Sequence, residues 1–131
     1  MRGAKLAGET METHATGAAA VRIIDGEHLE RITLGDRRLE REVLQIFVRQ
    51  NAMMLDRISG GQPSALGAVA HTLIGSARGI GAWRVAGAAE RLERASRKGS
   101  DEEIGEAVAE LKAASLEATA AIGARLAEPS H

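Results

Sequence analysis

Four segments of this chain carry apolar residues at spacings of three and four, and each is closed or opened by glycine or proline. That periodicity puts one apolar stripe on each of four helices, and every stripe has to be buried against another element. The first helix is expected from about Asp36 to Ser59, with Leu39, Val43, Ile46, Phe47, Met54 and Ile58 inward and Gly60 and Gly61 ending it. Pro63 suits the first turn of the second, where its missing N–H is not needed; Leu66, Val69, Leu73, Ala77 and Ile80 form the stripe, and Gly79 and Gly81 bracket the end. A third helix starts near Ala82, turns Val85, Ala89 and Leu92 inward and stops at Gly99. Ser100-Asp101-Glu102-Glu103 reads as a capping box, and the long helix behind it carries Ile104, Val108, Leu111, Ser115, Ala118, Ile122 and Leu126.

Helices joined by a few residues each are antiparallel neighbours, so the expected fold is all-α: an up-and-down antiparallel four-helix bundle. A short additional N-terminal helix is expected behind Asp25 as N-cap, with Leu29 and Ile32 on one side, in the position of a lid. Residues 1–20 show no apolar periodicity and read as a flexible tail, leaving 21–131 as the helical domain. The 131 residues suffice for one domain, without room for elaborate substrate loops.

Composition narrows the function classes. There is no cysteine, which excludes disulfides, thiolate metal sites and cysteine nucleophiles. A formal net charge of -1 argues against phosphate-backbone binding, and one Trp, one Phe and no Tyr leave no base-stacking platform. No apolar run approaches the roughly 20 residues of a membrane span. Glu9 and Glu12 interrupt the apolar core that an export signal needs, so a cytoplasmic location is expected.

The chemistry centres on the second helix. His71 stands roughly 160° around from Leu73 and so points to water. Gly67, Gly75 and Arg78 share its outward row. Helical side chains lean toward the N-terminus, so the residue one turn later normally overhangs its predecessor. At Gly75 nothing overhangs, and another protein's active site can reach the imidazole; Ser76 and Gly79 extend the low relief. A surface imidazole keeps a lone pair on one ring nitrogen at neutral pH and can act as a nucleophile. No carboxylate stands at helical spacing from His71, and the chain has neither a nucleophile elbow nor an HxxxH or HExxH metal spacing; His14, His28 and His131 lie in or near terminal segments. An exposed nucleophile without catalytic partners suggests a carrier whose partner completes the chemistry.

The run Ala70-His71-Thr72-Leu73-Ile74-Gly75-Ser76-Ala77-Arg78-Gly79-Ile80-Gly81-Ala82 closely resembles the histidine-containing phosphotransfer (HPt) domains of bacterial multistep phosphorelays. Their signature is an Ala-His pair, an apolar residue, Lys, Gly, Ser and Ala, and an Ile/Leu-Gly-Ala ending. The likeness extends to Gly35-Asp36 with Leu39, Leu44 and Phe47 upstream and to Ala89-Glu90-Arg91-Leu92-Glu93 downstream, spanning about Asp25 to Leu126. It implies a four-helix bundle in which His71 accepts a phosphoryl group on Nε2 from a receiver-domain aspartate and passes it to another receiver. The partners implied are the receiver domains of a hybrid histidine kinase and of response regulators, met by a monomer. The chain itself would act as a stoichiometric phosphocarrier, not an enzyme. No intrinsic cofactor is implied, since the Mg²⁺ of the reaction belongs to the receiver's acidic pocket.

One position departs from the pattern: Ile74 stands where the family usually has Lys. An ammonium there would attract a phosphoryl group of roughly two negative charges, and Ile74 cannot. Arg78, two turns along the row, is the first substitute expected to stabilise phosphate, with Arg84, Arg91, Arg94 and Arg97 on the next helix as further candidates. Ile74 is expected either to cover the bundle edge or, with Trp83, to form an apolar contact for a docked receiver. The departure also motivates an alternative: a degenerate HPt module that docks receivers or kinases without carrying phosphate.

Overall fold

A computed structural model describes residues 23–60 and 63–128. The expected tail, the connection at Gly61, and His14 and His131 lie outside the described residues. Among the described residues five helices follow in chain order: α1 Gly26–Thr33, α2 Arg37–Gly60, α3 Pro63–Ile80, α4 Trp83–Lys98 and α5 Asp101–Leu126. Each long helix packs on the next, and α5 closes back on α2, which is the up-and-down bundle with a short extra helix at its head.

The helix ends have local causes. The Asp25 side chain accepts from the His28 amide at the start of α1, and Ser100 with Glu103 forms the reciprocal capping box at the start of α5. Between α3 and α4 the chain reverses at Gly81, whose φ of 82° lies in the left-handed region. A Cβ there would also come within 2.9 Å of the Asp25 Cβ, so both conformation and space demand glycine.

Leu29, Leu44, Phe47, Leu73, Leu92, Leu111 and Ile122 are fully buried and make the centre of the core. Each contributes about 1.5–3 kcal/mol of burial. The expected stripes of α4 and α5 face it, but α2 is rotated from expectation. Its inner face is Glu40, Leu44, Phe47, Asn51 and Ile58, while Leu39 and Ile46 are exposed. Periodicity misassigned those two because α2 carries apolar residues on two faces, and its inward face includes two polar side chains. Both polar groups have partners on α5: Arg125 donates to Glu40 through Nε (2.6 Å) and Nη2 (3.3 Å), and Ser115 donates to Asn51 Oδ1 (3.3 Å). The Glu40 carboxylate, ahead of the opposing burial, pushes the Arg125 pKa up further. Among the described residues no buried side-chain polar atom lacks a partner.

Among the described residues no helix is long and apolar enough to cross a membrane.

Candidate functional site

His71 projects from the middle of α3 with its side chain 75% exposed. The two faces of α3 separate because Leu66, Ala70, Leu73, Ala77 and Ile80 are buried against the other helices, which turns the ring outward. Nδ1–H donates to Glu93 Oε2 of α4 at 2.9 Å. A carboxylate only accepts, so this contact places the ring proton on Nδ1 and leaves Nε2 with its lone pair facing solvent. The contact to Glu93 thus engages one ring nitrogen and leaves the rest of the imidazole open to solvent.

Glu93 has no helical spacing from His71 and was assigned no role from sequence. The signal that would reveal it is the turn at Gly81 and Ala82: in antiparallel helices, residues nearly equidistant from the turn face each other, as His71 and Glu93 do.

Gly75 is exposed, and a Cβ added there would meet nothing within 4 Å. Packing among the described residues gives no reason for glycine at this position. Gly67, on the same row, differs: a Cβ would approach Ser96 Oγ to 2.9 Å, so that glycine serves the close approach of α3 to α4. Ser76 turns the other way, its hydroxyl donating to Gln50 Oε1 of α2 at 3.3 Å. The outward side of α2 carries Leu39, Ile46 and Met53, seven residues apart and all exposed, of which Ile46 and Met53 lie within about one turn of Gln50.

Ile74 corrects an expectation. It is 6% exposed and belongs to the core, so it offers nothing to a docked partner. The residue is three positions after His71, only about 60° around the helix, and an apolar side chain at that angle folds inward where a long cation would reach outward. Arg78 extends from the exposed face of α3 and pairs with Glu90 of α4. Arg84 and Arg91 turn instead to Glu117 and Glu110 of α5, away from the imidazole.

Trp83 lies about 15 Å along the bundle from the level of His71. Its indole N–H donates to Asp25 Oδ2 at 3.0 Å, and its ring meets His28 edge-on at 5.1 Å between centroids. His28 Nε2–H donates to the Gly79 carbonyl at 3.1 Å. These contacts clasp α1 to the α3–α4 turn, and Trp83 keeps 42% of its surface open beside them. The Trp83 N–H, then the His28 amide, hold the Asp25 carboxyl below its ordinary value. Among the described residues no three His, Asp or Glu side chains gather where a metal ion could sit.

The Hpt domain family model matches residues 42–122. The crystal structure of a rice protein described as a histidine-containing phosphotransfer protein superposes with a TM-score of 0.73 at 15% identity, over 95% of this chain and 94% of that one. No curated protein sequence matches the chain.

Proposed function

The chain belongs to the Hpt-domain family, and on that premise we propose that it is a phosphorelay carrier: His71 takes a phosphoryl group from a receiver aspartate and hands it to another receiver. The observation that carries this reading is the Nδ1–H contact to Glu93 with Nε2 left open. In loading, the Nε2 lone pair forms the N–P bond while the P–O bond to the aspartate breaks and its electron pair returns to the carboxylate. The ring acquires positive charge, which the Glu93 carboxylate offsets at Nδ1. In unloading the same contact keeps Nδ1 protonated, so the leaving group is neutral imidazole and not imidazolate.

Catalysis in both directions comes from the receiver, whose acidic pocket would hold Mg²⁺; this chain contributes a nucleophile, clearance and a docking surface. Gly75 provides the clearance. Exposed Ile46 and Met53 of α2, within about one turn of the seam marked by Gln50 and Ser76, and Leu39 further along the same face suit a partner's apolar face. Trp83, at the far end, would extend that footprint. Arg78, on the same outward row as His71, is the cation offered for the phosphoryl group, given that Ile74 supplies none.

The test is incubation with a phosphorylated receiver and Mg²⁺, wild type beside His71→Gln. An acid-labile, base-stable label on wild type alone is expected. If a broad receiver panel binds both proteins and labels neither, the chain docks receivers without carrying phosphate.

A further inference from the structure

We propose that Arg78 and Glu90 form an exchangeable ion pair that sets how long a phosphoryl group stays on His71. The guanidinium leaves Glu90 for the phosphoryl group when His71 is loaded and returns when it is unloaded. The inference rests on the phosphocarrier reading and adds Glu90 as a residue that tunes it.

Its position is the first argument. Glu90 precedes Glu93 by three residues on α4, so the guanidinium bound to Glu90 lies about 4.5 Å along the axis from the level of His71. Although Arg78 starts two turns away, its side chain has already leaned back half of that distance. What lies between is Gly75, where no side chain obstructs the remaining path.

Charge supplies the second argument. Arg78 and Glu90 are 57% and 35% exposed, and an ion pair in that setting is screened and held loosely. A phosphoryl group on Nε2 brings about two negative charges and three acceptor oxygens in an arrangement that a guanidinium meets with two parallel hydrogen bonds. The stronger anion therefore draws Arg78 across. Glu90 competes for the same cation and, at one turn's distance, repels the phosphoryl group. Its presence keeps the bound phosphoryl group less stable than the arginine alone would make it, which suits a carrier that must release its load. Of the other candidates, Ile74 is buried in the core and Arg84 and Arg91 are paired with α5, while Arg94 and Arg97 remain as competitors, of which Arg97 lies on the row of Glu93 and enters the test.

The test loads the full chain with phosphoramidate, a small donor that phosphorylates imidazole without a receiver, removes the donor and follows decay of the acid-labile label. Wild type, Arg78→Ala, Glu90→Gln, the double variant and Arg97→Ala are compared. Arg78→Ala is expected to shorten the half-life about threefold and Glu90→Gln to lengthen it about threefold, with the Glu90→Gln gain largely lost when Arg78 is absent. Equal half-lives overturn the proposal, as does a Glu90→Gln gain of the same size in the Arg78→Ala background. Loss of lifetime in Arg97→Ala alone assigns the cation elsewhere and overturns it too. A wild type that takes no label from either donor fails earlier, removing the phosphocarrier reading and this inference with it.

Discussion

A neutral imidazole has one donor and one acceptor nitrogen, and at His71 the Glu93 carboxylate claims the donor. Removing that claim leaves the ring free to rotate and to populate both tautomers. Glu93→Ala is therefore expected to slow phosphoryl loading about tenfold, with Glu93→Gln intermediate because an amide oxygen still accepts but carries no charge. Nitrogen NMR of the imidazole separates this role from a merely structural one: wild type should hold the proton on Nδ1, and Glu93→Ala should show a mixture. An unchanged tautomer population in Glu93→Ala would remove Glu93 from the chemistry. At this scale the outward placement of His71 was legible in the sequence, because an outward His beside a glycine row is a local pattern. The burial of Ile74 was not, since 60° of helix separates an exposed position from a buried one and only the packed neighbours decide which side wins.

α3 combines opposed demands. Glycine inside a helix costs roughly 0.5–1 kcal/mol relative to alanine, and two of the glycines in α3 have different reasons for being there. Gly75→Ala is expected to raise stability by about that amount in urea unfolding, because its Cβ meets nothing among the described residues, and to slow transfer from a receiver. Gly67→Ala should give no such gain. Its Cβ meets Ser96 Oγ, whose hydroxyl is committed to the Glu93 carbonyl at 2.7 Å. A gain of equal size at Gly67 would show that the approach to Ser96 does not require glycine there, and unchanged transfer in Gly75→Ala would remove the clearance role. For α2 the sequence was legible as a helix but ambiguous as a face: Leu39 and Ile46 follow the periodicity as well as the buried residues do, and the face that won contains Glu40 and Asn51, for which α5 supplies partners.

Across the whole molecule, polar contacts fasten what the apolar core leaves loosely specified. The Glu40–Arg125 pair ties the start of α2 to the end of α5, and the Asp25–Trp83 and His28–Gly79 hydrogen bonds clasp α1 to the α3–α4 turn. Because the folded state lowers the Asp25 pKa, the clasp stabilises fully above the ordinary aspartate value of 3.8 and weakens as pH falls through the lowered one. Emission from Trp83, the one tryptophan, should shift in that acidic range in wild type but not in Asp25→Ala. Identical acid profiles in the two proteins would mean that the carboxylate does not hold α1. The sequence by itself determined the helices, their caps, the up-and-down order and the outward histidine, because each depends on residues within one or two turns of one another. Only the tertiary structure decided that Glu93 holds Nδ1, that Arg78 is met by Glu90, and that Ile74 belongs to the core. Those outcomes depend on the rotation and register of α3 against α4 and of the bundle around them, which packing of the whole core sets and no local spacing encodes.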